Sequence, residues 1–422
     1  MTAGETHRAI EAIFRIERAR LIAGLARIVR DVDLAEELAQ DALVVALSEW
    51  PRIGVPANPG AWLMTAAKRR AIDAVRRLRM RERKHEEIAR ELEGAHDSAR
   101  ESELLAIEAA MDEDLGDELL GLIFTACHPI LSPAARAALT LRVIGGLTTD
   151  EIARAFLTSE PTIAQRIVRA KKSIRKAGLT FEAPRAPERA ARLPSVLEVI
   201  YLIFNEGYAA TAGDDLIRPS LCLEAQRLGR MLTGLMPEDS EVFGLLALME
   251  IQASRLEARV GSDGALLTLN EQNRARWDQL MIRRGLDALA HAEALGGDGS
   301  YALQAALAAC HARARSPDDT DWRRIAALYD RLRAVMPSPV VDLNRAVAYS
   351  MAFGPETGLQ LIDEIAGAAA LRNYAPLPAA RGDFLFRAGR PAEARPEFEA
   401  AAKLTRNARE RAFLLARAEA CA

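Results

Sequence analysis

No stretch of this 422-residue sequence approaches the ~18 apolar residues a membrane span needs; the longest runs are Val242–Met249, interrupted by Gly244, and Ala42–Leu47. Cysteine is scarce. Cys127, Cys222, Cys310 and Cys421 stand far apart and form no C-x-x-C pair, which excludes a disulfide scaffold and predicts free thiols in a reducing cytoplasm. The first residues, Met1–His7, lack the basic segment and apolar stretch of a secretory signal, so a cytoplasmic location is expected. Aromatics make up only 5% of the chain and no segment alternates with period two. Together with abundant alanine and arginine this predicts helices and argues against sheets. There is no P-loop, no paired G-x-G-x-x-G and no H-E-x-x-H. His128 follows Cys127, but no further ligands cluster nearby, so neither a metal nor a cofactor is expected, and no enzyme.

Half the residues are apolar, enough for several packed cores. The net charge of −3 conceals strong local polarity. Between Lys68 and Lys84 nine basic residues oppose Asp73 and Glu82, a net of +7. Between His85 and Glu118 thirteen acids oppose Arg90 and Arg100, a net of −11. Between Arg166 and Lys176 there are six basic residues and no acid. Two cationic segments separated by an anionic one suggest two polyanion-binding surfaces joined by a tether that nucleic acid repels.

Residues 8–84 read as three or four helices. Ile10, Ile13, Phe14, Leu21, Ile22, Leu25 and Ile28 recur at three- and four-residue steps and make one apolar stripe. Asp31 or Asp33 can cap a helix over 34–49, whose first turn carries Glu36 and Glu37, where the helix dipole favours acids. Trp50–Gly60, with three prolines and two glycines, predicts a break, and a helix from Ala61 through the basic run. Trp50 and Trp62 are expected to pack in the core, and Asp73 to partner Arg76 or Arg77. Residues 85–118 read as an acidic, partly helical linker.

Helices return over 119–181. Ser132-Pro133 is a start signal, and Gly145-Gly146 a stop. Thr148 or Thr149 can cap a short helix over 150–156, a turn at Leu157-Thr158-Ser159 follows, and a second helix runs over 161–176. Ile152, Ala153 and Phe156 would pack against Ile163, Ile167 and Ala170, with small Ala153 at the crossing. This is the spacing of a DNA-binding helix-turn-helix. Its outward positions include Glu160, Thr162, Gln165, Arg166, Arg169, Lys172 and Lys176. Gln165 suits adenine, Arg166 or Arg169 suits guanine, and Lys171, Lys172 and Lys176 suit phosphates.

Beyond Pro184, Pro187 and Pro194, apolar helical patterns alternate with short Gly/Pro breaks through residues 184–422. Toward 340–420 two segments align: Ala346 and Ala380 are 34 residues apart, Gly354 and Gly389 are 35. This is the period of tetratricopeptide-like helix pairs. Residues 254–259 and 271–278 form an arginine-rich polar stretch between apolar ones.

Trp62-Leu63 followed by Ala66-Ala67-Lys68-Arg69-Arg70-Ala71-Ile72-Asp73-Ala74-Val75-Arg76-Arg77 resembles a signature of extracytoplasmic-function (group IV) RNA polymerase sigma factors. Asp33–Leu43 resembles the acidic helix by which they grip the polymerase, and Leu131–Arg175 resembles their promoter-binding fourth domain. Arg69 stands where the family often has Asn, and Glu160-Pro161 where a small residue and a Gly or basic residue are common. The long extension resembles that of one subgroup ending in tetratricopeptide-like helices. The resemblance implies an all-α protein: sigma domain 2 at 8–84, the acidic linker at 85–118, sigma domain 4 at 119–181 and a regulatory extension at 184–422. It implies that Glu36, Glu37, Gln40 and Asp41 meet core RNA polymerase. Lys68, Arg69, Arg70, Arg76 and Arg77 would bind and open the minus-10 element of promoter DNA, while Thr162, Gln165, Arg166, Arg169 and Lys172 read the minus-35 duplex. The extension would dock on the first domains or on a protein partner, away from any membrane. The alternative from the residues alone is a helix-turn-helix regulator that works without polymerase, with a repeat domain sensing a ligand or peptide.

Overall fold

The computed structural model describes residues 3–89, 115–156, 158–208, 218–259, 261, 267–405 and 408–421. The protein is all-helical, and among the described residues no strand occurs. It divides into two compact units, residues 1–199 and 200–422.

In the first unit, α1 (Ala3–Val29), α2 (Val32–Ile53) and α3 (Pro59–Ala89) pack against one another. The three- and four-residue steps of α1 put Ile10, Leu21, Ile22 and Leu25 on one side, where all four are buried. Asp31 caps α2 by accepting from the backbone N–H groups of Asp33 and Leu34. The break after α2 is shorter than the sequence suggests. Helix continues through Trp50 and Pro51 to Ile53, and α3 begins at Pro59. Burial explains the overrun: Trp50 is 0% exposed and makes an edge contact with Trp62 at 5.3 Å between ring centres. Anchoring that indole outweighs the local preference of Pro51. Gly54 then ends the helix with φ 86°, a backbone region that glycine enters without strain.

α4 (Leu115–Ala126) packs on α1, and α5 (Pro133–Val143), α6 (Thr149–Ala155) and α7 (Glu160–Lys176) follow. Ser132 caps α5, with Pro133 in its first turn. The acidic segment expected at 85–118 lies largely outside the described residues. Its ends are helical, since α3 reaches Ala89 and α4 starts at Leu115, and Glu118 is buried.

The division between the units falls within α8 (Ala186–Tyr208). Its first half fastens to the first unit: Arg192 donates to the Phe124 carbonyl at 2.7 Å and Arg136 to Glu198 at 2.9 Å. The second unit continues with α9 (Pro219–Leu235), α10 (Ser240–Ala253), α11 (Gln279–Ala294), α12 (Ser300–Arg313) and α13 (Trp322–Val335). α10 is apolar on all sides and sits at the centre, packed by α9, α11 and α12. Gly244 permits the tightest approach, since a Cβ there would lie 2.5 Å from the Ala302 backbone nitrogen. Two successive helix pairs follow: α14 (Pro339–Phe353) with α15 (Pro355–Ile365), and α16 (Pro376–Arg387) with α17 (Pro391–Leu404). Gly354 and Gly389, the spaced glycines of the sequence, sit at the turn inside each pair with φ 107° and 74°. Ala346, Ile362, Phe384 and Phe398 fill their shared core, against α18 (Ala408–Glu419).

Candidate nucleic-acid and polymerase interfaces

Thr148 caps α6 through a capping box: its hydroxyl accepts from the Glu151 N–H while the Glu151 carboxylate accepts from the Thr148 N–H. Ser159 caps α7 and bonds the Thr162 hydroxyl at 2.7 Å. Ile152, Ala153, Ile163, Ile167, Ala170 and Ile174 are buried, so the two helices meet along the stripe read from the sequence. Phe156 is only half-buried, and Leu157 lies outside the described residues. The arrangement is a helix-turn-helix with its second helix displayed. Thr162, Gln165, Arg169 and Lys172 are exposed and Arg166 is half-buried. Glu160 is drawn aside, accepting from the Thr149 hydroxyl at 2.9 Å. One outward residue escaped sequence reasoning. Val168 is 64% exposed, although apolar, and sits one turn from Gln165 and Lys172. Its signal was an apolar residue out of phase with the buried isoleucines.

On α3 the basic face is open. Arg69, Arg76 and Arg77 are exposed, and Lys68 and Arg70 half-buried. Arg77 reaches back to the Asp73 backbone carbonyl at 3.2 Å. That helix-local bond replaces the expected pairing with the Asp73 carboxylate. Arg70 lies 2.9 Å from Asp41 of α2, so two residues assigned to different partners pair with each other. Both are over 40% exposed, and such a pair contributes under about 1 kcal/mol and yields readily.

The acidic end of α2 is divided. Glu37 and Gln40 are exposed and Asp41 half-buried. Glu36, in contrast, turns inward and its side chain is 12% exposed. Arg18 of α1 donates to it at 2.6 Å, the Lys171 ammonium of α7 lies 2.5 Å away, and Arg142 of α5 is at 3.4 Å. Lys171 also meets Asp33 at 2.7 Å, and Arg175 bridges Asp31 at 2.6 Å and Asp33 at 3.2 Å. Arg18 donates in addition to the Arg142 carbonyl at 2.9 Å. Burial lowers the Arg18 pKa, with the repulsion of Arg142 adding to the effect and the Glu36 charge opposing it. Four cations and three carboxylates therefore form one partly dry cluster joining α1, α2, α5 and α7. Lys171 is 9% exposed and does not face a phosphate in this conformation. Its neighbours at i−4 and i+3, Ile167 and Ile174, are buried, an inward phase that the charge pattern alone concealed.

The sigma-70 region 2 family matches residues 13–81 and the sigma-70 region 4 family matches residues 122–174. The chain thus carries a sigma-70 region 2 and a sigma-70 region 4. Residues 192–293 match a family of unknown function (DUF6596). An uncharacterized protein of Rhizobium meliloti (strain 1021) is 42% identical over 398 residues, covering 94% of this chain and 92% of that protein. The similarity thus runs through the extension of this sigma factor as well as its two sigma regions. The ECF RNA polymerase sigma factor SigK of Mycobacterium ulcerans (strain Agy99) is 29% identical over 156 residues, 36% of this chain and 75% of that protein. No solved structure matches. Among the described residues no helix is long and apolar enough to cross a membrane, and no cluster of three or more His, Cys, Asp or Glu is placed to hold a metal ion.

Proposed function

We propose that this sigma factor, of the extracytoplasmic-function group, carries core RNA polymerase to a small set of promoters in the cytoplasm. The observation that supports this most directly is the pairing of two open cationic faces in one unit, Lys68–Arg77 on α3 and Gln165–Lys172 on α7. Promoter opening holds a base outside the stack, which costs a few kcal/mol. A fixed loop beside a basic helix lowers that cost by tracking the strand. The loop between α2 and α3, followed by Lys68, Arg69, Arg70, Arg76 and Arg77, has those two parts, and we assign it the minus-10 element. We assign the minus-35 duplex to α7. Gln165, Arg166 and Arg169 read base edges, Lys172 holds phosphate, and Val168 supplies apolar contact to a thymine methyl. Thr162 contributes through its methyl, its hydroxyl being engaged by Ser159.

Glu37, Gln40 and Asp41 meet core polymerase from the open side of α2. Glu36 joins them once α7 withdraws Lys171. The extension, with its helix pairs of tetratricopeptide-like period, regulates this exchange by docking on a protein partner or on the sigma regions. A run-off assay tests the reading. The protein should bind core polymerase and direct initiation from its promoter. Lys68→Ala with Arg69→Ala should weaken initiation on closed duplex more than on a premelted template, with core binding retained. A protein that shifts duplex DNA alone, and neither binds core nor starts transcription, would instead be a self-standing helix-turn-helix regulator.

A further inference from the structure

The arginine-rich stretch at 254–277 is used by neither of those interfaces. Its described residues include two 3-10 turns, Leu256–Ala258 and Arg274–Arg276, brought together where the Asp278 N–H donates to the Ser254 carbonyl at 2.8 Å. The end of α8 lies against them. The Arg259 guanidinium carbon stands 4.1 Å from the centre of the Tyr208 ring, and that of Arg255 stands 5.8 Å from the same ring. Arg255 is also 6.0 Å from the Trp277 ring, and Arg274 is 5.2 Å from it. Three cations thus share two aromatic rings. None of the three has a carboxylate within salt-bridge distance among the described residues. Asp319, beyond that distance, is the acid whose charge reaches Arg274.

Arg274 is spent on the fold. It is 9% exposed and donates to the carbonyls of His311 and Ala314 at 2.9 and 2.7 Å and to the Thr320 hydroxyl at 3.1 Å. Arg255 and Arg259 are different. Among the described residues, the Arg255 guanidinium donates only to the Gln252 side chain and the Arg259 guanidinium only to the Tyr208 carbonyl. A guanidinium has five N–H donors in a fixed fork, so among the described residues most of theirs meet no acceptor. Both side chains are half-buried, where a charge calls for a partner of opposite sign. Burial and the mutual repulsion of Arg255 lower Arg259, and burial with Arg255 and Arg274 holds the neighbouring His311 neutral.

We propose that Arg255 and Arg259, standing over Tyr208 with Arg274 behind them, bind a phosphate-type oxyanion carried on a small molecule. A carboxylate offers two oxygens in one plane and a single charge. A phosphate monoester offers three oxygens and up to two charges, and so answers two forks at once. Trp277 is 4% exposed, so its face is closed to a stacked base and the recognised part is the anion. All of these residues fall within 192–293, the segment shared with the family of unknown function.

Calorimetric titration of the full chain with inorganic phosphate, then pyrophosphate, tests this at an ionic strength fixed by chloride, with citrate as the carboxylate arm. Saturable one-to-one binding is expected, weakened about tenfold or more by R255Q or R259Q, as for loss of a charge-assisted hydrogen bond. R276Q, an exposed arginine of the same stretch, should leave it unchanged. Arg259 also holds the Tyr208 carbonyl. R255Q, whose protein bond is to Gln252 three residues away, is therefore the variant that spares the fold, and circular dichroism checks both. The proposal is overturned if wild-type protein shows no saturable heat at millimolar phosphate, if R255Q binds as well as wild type, if chloride competes equally (an adventitious ion only), or if citrate binds and phosphate does not. Binding is read as heat and not as transcription, so its failure leaves the sigma-factor reading standing.

Discussion

The Lys171 ammonium lies 2.5 Å from one carboxylate oxygen of Glu36 and Arg18 lies 2.6 Å from the other. One carboxylate therefore couples α7, the second helix of the helix-turn-helix, to α1, the helix that starts the bundle. Removing a single member of so dry a cluster leaves uncompensated charge, at a cost of about 3–5 kcal/mol. Glu36→Gln should destabilise residues 1–199 by an amount at the lower end of that range, read as a lower urea midpoint with unchanged slope. Glu37→Gln, on the exposed face, should stay within about 0.5 kcal/mol of wild type.

The outward residues of α7 predict two distinct signatures. Arg169→Ala should cost about 1–3 kcal/mol at one promoter position and relax the preference there. Lys172→Ala should weaken all sequences alike and reduce the salt dependence of binding by about 0.9 in log–log slope. Holoenzyme binding to promoter fragments over a salt series separates them. Identical behaviour of the two variants would show that neither reads a base.

His311 gives the second unit a pH dependence. Burial, with Arg255 and Arg274 nearby, pushes its pKa down to about 4 from an ordinary 6.5. Between those values the unfolded chain binds more protons than the folded one. Stability is therefore full above about pH 6.5 and falls as the pH drops toward 4, by up to about 3 kcal/mol. His311→Gln should flatten melting temperature against pH in that window. The carbonyl that receives Arg274 is retained in the variant.

All four cysteines are free and buried. Burial pushes the Cys127 thiol to about 11 and the Cys222 thiol to about 12, leaving almost no thiolate at neutral pH. Native protein should resist a thiol-labelling reagent, and full labelling should appear only in denaturant. Fast labelling of native protein at any one site would show that its helix opens locally.

The helical class, the helix-turn-helix and the glycine-marked pairs were legible because each rests on local periodicity and capping. Ser132 and Thr148 cap where their sequence neighbourhoods suggest, and the isoleucines of α7 are buried in the expected phase. What stayed hidden depends on contacts far apart in sequence. Nothing near Glu36 indicates that Lys171, 135 residues away, will claim it. Pro51 reads as a breaker, since the indole that holds the helix together beside it shows its worth only in the packed bundle. The arginine cluster at 255–274 was visible as a composition and not as a site.

The edge-to-face contact of Trp50 and Trp62 spans the loop between α2 and α3, with an interplanar angle of 69°. Two indoles so close exchange excitation, and the exchange depends steeply on their mutual orientation. The protein thus carries its own optical gauge at the loop assigned to strand separation. A partner that shifts residues 54–58 should alter near-ultraviolet ellipticity, with no dye or label attached.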